Sequence, residues 1–260
     1  KKGVRLTAAA ASIVAAHART RTGQEVIPPD QKLGHAANFL YMLQGIRPSL
    51  EDARLIDKDL VLHAEHGVNA STFGARVAAA TGADYYAAIT AAIAVLKGPK
   101  HGGAAEAVMQ MSMEIGNEEN AEDYISDILE TGGRVMGFGH PVYKALDPRS
   151  IHLRADAKDL GERKGQPKWF SIIEALTETN AMKARARRGY HPNVDLWSGA
   201  IYYLLGIPED MFVPIFVLGR MPGWTAHVME QYSKKDILRP RLLYSGPLDL
   251  EYVPIDQRSS

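Results

Sequence analysis

The chain has 260 residues, enough to bury a full core as one large domain or two smaller ones. Its 30 Lys plus Arg balance 30 Asp plus Glu, so no net charge calls for a nucleic acid or a membrane as partner. The absence of cysteine excludes disulfides, thiolate zinc sites and cysteine nucleophiles together, and fits a cytoplasmic chain or an organelle matrix.

Helical spacing runs along almost the whole chain, and period-two alternation is nearly missing. The alanine-rich start carries His17 and Arg19, which rules out a signal peptide, and no apolar run is long enough for a bilayer. Without an initiator Met the chain is expected to be a fragment or a processed product. Residues 7–18 are almost pure helix formers, and 33–44 read as a helix closed by Gly45. Ser49-Leu50-Glu51-Asp52 is a capping signature that opens a helix through about Glu65. Further helices are expected over 70–80, 84–96, 102–115, 122–130, 148–162, 168–186, 195–205 and 209–232. Residues 212–218 carry enough Val, Ile and Phe for a buried strand, but length favours a helix. The proline-containing segment 238–260 is expected to pack as an extended arm. The fold class is therefore all-α. Shifts in composition near Gly98 and Ser198 place a distinct subdomain in the middle, giving 1–98 with 199–260 as one unit and 99–198 as the other.

Three segments carry chemistry. Gly137-Phe138-Gly139-His140 sets an imidazole after a flexible Gly-x-Gly, with Lys144 and Arg149 close behind as holders of carboxylate or phosphate. Gly137 and Gly139 lack the third glycine of a dinucleotide fingerprint and no βαβ pattern follows. His101 stands among Gly98, Gly102 and Gly103 at a helix start, where backbone N–H groups disfavour an imidazolium and leave a neutral hydrogen-bond donor. Asp195, before an apolar run, is either a helix N-cap or a proton acceptor. Arg220 lies deep in an apolar stretch and must meet a carboxylate, from the protein or from a substrate. His63 and His66, three apart on a predicted helix, share a face, and His63-Ala64-Glu65 matches the first half of a zinc-deaminase signature. The cysteines of the second half are missing, as is any third ligand, so no metal is expected. The basic residues from Lys183 to Arg188 read as a solvated helix end.

Taken in order, these motifs resemble the citrate synthase family: His63-Ala64-Glu65-His66-Gly67-Val68-Asn69, Gly98-Pro99-Lys100-His101-Gly102-Gly103, Gly137-Phe138-Gly139-His140-Pro141-Val142-Tyr143-Lys144, Asp147-Pro148-Arg149, Pro192-Asn193-Val194-Asp195 and Arg239-Pro240-Arg241. The resemblance runs from about Leu33 to the C-terminus and implies an N-terminally incomplete chain. It implies an all-helical homodimer (or a higher homo-oligomer) with a large domain and a smaller mobile one. It further implies condensation of acetyl-CoA with oxaloacetate and water to citrate and CoA. No tightly bound cofactor is implied, the coenzyme A thioester being a co-substrate. By motif position Asp195 resembles the base, His101 the hydrogen-bond donor to the enol, and His140 the acid at the oxaloacetate carbonyl. His66, Arg149, Arg220 and, from a second subunit, Arg239 resemble oxaloacetate ligands. Lys144, Gly137 and Gly139 resemble the CoA site. Two departures stand out: Ala105 replaces a common Asn after His-Gly-Gly-Ala, and Pro141 follows His140 where Arg is more frequent. The His-Pro-Val-Tyr form also occurs in 2-methylcitrate synthases, which take propionyl-CoA, so that activity stays open, as does a truncated, non-catalytic dimerisation module.

Overall fold

The computed structural model describes residues 1–258. Among them twelve α-helices and no strand are found, and no helix is long and apolar enough to cross a membrane. Helix α1 spans Lys2–Thr20, α2 His35–Gln44, α3 Leu50–His63, α4 Ala70–Ala80, α5 Tyr85–Leu96 and α6 Ala104–Ile115. Helix α7 spans Ala121–Glu130, α8 Pro148–Arg163, α9 Lys168–Glu178, α10 Asn180–Ala186, α11 Asp195–Leu204 and α12 Phe212–Ser233.

The starts follow side-chain chemistry. Ser49, Asn69, Asp84 and Asp147 each accept a backbone N–H from the first turn of α3, α4, α5 and α8, which satisfies donors the helix leaves bare. Gly45 closes α2 in the left-handed region at φ 84°. Helix α1 is longer than the 7–18 expected, several other ends move by two or three residues, and two departures change the reading. The single helix expected over 168–186 is broken at Thr179, whose ψ of 147° leaves helical space and whose hydroxyl caps α10 by accepting from Met182 N–H. Helix α3 ends at His63 instead of Glu65, so His63 and His66 do not share a helix face. Residues 212–218 are helical, as length required.

Helices α1 to α5 pack with α12, α12 lying against α1, α3, α4 and α5. Helices α7 to α10 gather on α9, which with α6 and α8 also packs on α11. Phe39, Leu40, Ile56, Ile89 and Trp224 fill the first group, and Val108, Ile125, Leu153, Ile173 and Trp197 the second, each essentially buried. Each such side chain contributes about 1.5–3 kcal/mol on burial. Contacts of α6 with α12 and of α3 with α8 join the groups. Helix α11 runs unbroken past Ser198.

Close approach of α12 to α3 shapes the site. A Cβ at Gly219 would stand 2.8 Å from His63 Cβ, and one at Gly223 2.2 Å from the Ala64 carbonyl oxygen. Only glycine lets the backbones meet there. After Lys234 the chain is irregular, with bends near Gly246 and Asp249 and one 3-10 turn over Ile255–Gln257, and it does not pack as an arm: Leu242 and Leu243 are 94% and 95% exposed.

Candidate active site

The loop before α8 is zipped to the approach to α11. Gly139 N–H donates to the His191 carbonyl (2.8 Å), Asn193 N–H to the Gly137 carbonyl (2.9 Å), and Asn193 Nδ2 to the Gly139 carbonyl (3.0 Å). Gly137 and Gly139 take φ of 79° and 81°, and a Cβ on Gly137 would stand 2.6 Å from Leu196 Cδ1. Glycine is required at Gly137 by conformation and by space. Asn193 Oδ1 also accepts from Asp195 N–H at 3.0 Å, so it does the capping that Asp195 was expected to compete for. The Asp195 carboxylate accepts no hydrogen bond among the described residues. Burial raises its pKa, with the His63 and Arg149 charges pulling the other way.

His140 Nδ1 accepts two backbone N–H groups, from Val142 and Tyr143, both at 3.0 Å. The neutral ring therefore carries its proton on Nε2, which lies 2.8 Å from His66 Nε2. His66 must then accept there and hold its proton on Nδ1. Both rings are kept neutral: burial, followed by the Arg149, His140 and Arg220 charges, lowers His66 to about 4, and burial and Arg149 lower His140.

Arg149 is held by Asp147 through two hydrogen bonds, Nε to Oδ1 at 3.0 Å and Nη2 to Oδ2 at 2.7 Å. Such a fork fixes the guanidinium plane and leaves donors on its other side. Arg220 is 2% exposed, donates from Nε to the His63 carbonyl at 2.6 Å, and stacks 4.9 Å from the Phe216 ring centroid. No carboxylate lies within ion-pair distance of it among the described residues. Burial and the Arg149 charge bring its pKa down to about 10. Two guanidinium groups and two neutral imidazoles thus converge on one spot, with one arginine lacking an anionic partner.

His101 faces the same cleft. Ser71 N–H points at its Nε2 (3.3 Å) and the Ser71 hydroxyl lies 2.9 Å away. That hydroxyl donates to Asn69 Oδ1 at 2.8 Å and accepts from Trp224 Nε1 at 3.1 Å. A backbone donor at Nε2 leaves the proton of the neutral ring on Nδ1. The pKa is lowered as the sequence implied, but the causes are burial and the Arg220 charge instead of a helix N-terminus.

Lys144 is exposed on the loop, its backbone lying under Gly189, and its charge helps lower His140. Arg239 is exposed on the irregular C-terminal segment and is not brought to the cleft.

The chain matches a family model described as citrate synthase, C-terminal domain, over residues 1–241. It is 46% identical to citrate synthase 2 of Bacillus subtilis over 259 residues, covering 100% of this chain and 68% of that one. It is 42% identical to 2-methylcitrate synthase 1 of Corynebacterium glutamicum over 262 residues, covering 99% and 68%. Among solved structures it superposes on citrate synthase of Thermoplasma acidophilum, in ternary complex with carboxymethyl coenzyme A and oxaloacetate, with a TM-score of 0.91. There the identity is 34% and the coverage 98% of this chain and 68% of that one. The chain belongs to the citrate synthase family. It spans about two thirds of the length of these citrate synthase relatives.

Within that family fold the structure gathers His66, His101, His140, Arg149, Asp195 and Arg220. Sequence reasoning passed over Ser71, which wires His101, and Asp147, which orients Arg149. Asp147 had a signal, since Asp before Pro148 marks a helix start. Ser71 had none, because it approaches His101 from 30 residues away.

Proposed function

We propose that this chain carries the catalytic machinery for joining acetyl-CoA to oxaloacetate, giving citrate and CoA after hydrolysis of the thioester. The observation that carries the reading is the convergence of Arg149 and Arg220, the latter without a carboxylate, beside the neutral His66 and His140. A dicarboxylate supplies the missing anions. Its ketone oxygen takes the place of His66 Nε2 as acceptor of the His140 Nε2–H. Asp195, free of capping duty, removes a methyl proton from the thioester while His101 Nδ1–H holds the developing enolate oxygen. The new carbon–carbon bond forms at the ketone carbon, and His140 gives its proton to the ketone oxygen. Water then cleaves the thioester, releasing CoA as thiol.

Residues 1–98 with 199–260 act as a large domain and 99–198 as a small mobile one in this reading. Closure over the dicarboxylate would exclude water until the bond has formed. Lys144 and the Gly137–Gly139 loop serve the CoA, and Arg239, on its bare C-terminal segment, completes the site of a second copy in a homodimer. A 2-methylcitrate synthase is the second reading, favoured by Pro141 after His140 and the 42% identity to such an enzyme. One methylene in an apolar pocket discriminates by about 1–3 kcal/mol. A thiol-release assay with oxaloacetate and either acetyl-CoA or propionyl-CoA decides. Faster release from acetyl-CoA supports the first reading, faster release from propionyl-CoA the second, and none from either a non-catalytic module.

A further inference from the structure

Beneath Asp195 lies a polar cluster that touches no proposed substrate position. Asp59 and His63, one turn apart on α3, are 0% and 1% exposed. His63 Nδ1 donates to the Asp59 backbone carbonyl at 2.9 Å and stands 3.3 Å from Asp59 Oδ1. Asp59 Oδ2 accepts from the Tyr202 hydroxyl of α11 at 2.6 Å. No hydrogen bond reaches Asp59 Oδ1 or His63 Nε2. A carboxylate so deprived of water needs a countercharge, and His63 is the cationic candidate at ion-pair distance.

Helix geometry carries the charge onward. Tyr202 and Asp195 are seven residues apart, two turns on one face of α11. The first anchors Asp59, and His63 lies one turn further along α3. Among the charges bearing on Asp195, His63 and Arg149 favour its ionised form, and Asp147 and Asp59 oppose it. The groups facing this cluster are Asp59 and His63 from α3, Tyr202 and Asp195 from α11, Asp147 and Arg149 from the start of α8, and Arg220 from α12. Phe216 closes the remaining side, its ring edge-on to His63 at 5.0 Å.

We propose that Asp59, anchored by Tyr202, holds His63 as a buried imidazolium, and that this cation keeps the Asp195 carboxylate ionised. Asp59, His63 and Tyr202 are positioning residues. The effect on turnover rests on Asp195 being the base in the proposed reaction, but the charge state itself does not. The protonation state of His63 follows from imidazole ¹⁵N shifts, assigned by loss of the signal in His63→Gln. At pH 7.5 both His63 nitrogens should be protonated, while His66 and His140 read as neutral. In Asp59→Asn the His63 signal should become neutral. The Asp195 carboxyl, followed by ¹³C, should then titrate about one unit higher. The acid limb of kcat should move up by the same amount with KM for oxaloacetate unchanged, and Tyr202→Phe should move it less. A neutral His63 in the unaltered chain at pH 7.5 overturns the proposal, whether or not Asp59→Asn folds. So does an unmoved Asp195 midpoint in a folded Asp59→Asn. Absence of turnover at every pH would count against the proposed reaction and leave both spectroscopic results to decide the charge arrangement.

Discussion

His63 and His66 stand three residues apart and are tuned in opposite directions. His63, on the floor of the cleft, faces Asp59 and has its pKa raised despite full burial. His66, at the mouth, is lowered by its partial burial and then by Arg149, His140 and Arg220, and falls to about 4. Residue type and burial do not explain the split; the sign of the nearest charge does. The mouth holds two arginines against one carboxylate, Asp147, which is already forked onto Arg149, so its surplus cation suits a dicarboxylate. The floor brings its own anion, Asp59, and can hold a cation under Asp195. Asp195 lies where the two regions meet, between the His63 and Arg149 charges.

The largest effect comes from removing that meeting point. Asp195→Asn preserves shape and deletes the proton acceptor, so kcat should fall by about 10²–10⁴-fold. Oxaloacetate should still bind, as calorimetry would show. Near-normal turnover would make Asp195 structural and dissolve the link between floor and mouth. Next comes the mouth alone. Arg220→Gln keeps a polar group near the His63 carbonyl and removes the unpartnered cation, and oxaloacetate binding should weaken by about 2–5 kcal/mol. Unchanged affinity would mean that the dicarboxylate sits elsewhere.

The two histidines also leave opposite marks on stability. His66 has a folded pKa below its unfolded value. Its neutral form is therefore favoured by folding, and that stability is present above about pH 6.5 and lost as pH falls from there towards about 4. His63 has a raised folded pKa, so its contribution is full below about pH 6.5 and is lost as pH rises through the raised value. In denaturant titrations His66→Gln should abolish an acid-side loss of about 1–2 kcal/mol between pH 6.5 and 4.5, allowing for partial solvent screening. His63→Gln should do nothing of the kind. Identical pH dependence in both variants would refute the contrast.

Much of this was legible in the sequence because it is local. Ser49, Asp84 and Gly45 mark helix ends through chemistry that acts within a turn. The site histidines, Arg149 and Asp195 stood in motifs dense enough to be recognised. What escaped depends on approach through space. Tyr202 meets Asp59 across 143 residues, and Trp224 meets Ser71 across 153. No spacing rule reports such a pairing. The break at Thr179 escaped for a different reason: the apolar period continues across it, while the Thr179 hydroxyl takes Met182 N–H and the Glu122 carboxylate of α7 takes Asn180 N–H. Arg220 fell between these cases. Its burial announced a need for an anion, but the sequence had no means to show that the protein leaves the need open.

The smallest effect tests the ring that stands between floor and mouth. His101 receives the Arg220 charge from the mouth and meets the edge of Phe216, which also packs on His63. Its proton is placed by the Ser71 backbone N–H at 3.3 Å, while the Ser71 hydroxyl, 2.9 Å from the same nitrogen, donates to Asn69 Oδ1. Ser71→Ala removes the hydroxyl and spares the N–H, so the tautomer is kept while the ring loses the polar neighbour that Asn69 and Trp224 hold beside it. A single hydrogen bond contributes about 0.5–1.5 kcal/mol, which converts to a loss in kcat of roughly two- to tenfold. KM for oxaloacetate should stay fixed, because Ser71 faces no group of the mouth. Stability should drop by about 1–3 kcal/mol, since Trp224 Nε1 loses its acceptor. Trp224→Phe provides the control: it deletes that donor, leaves the Ser71–His101 contacts in place, and should lower stability without the fall in kcat. A hundredfold loss in Ser71→Ala would mean that the hydroxyl itself handles a proton. An unchanged kcat would mean that the backbone N–H alone sets the ring.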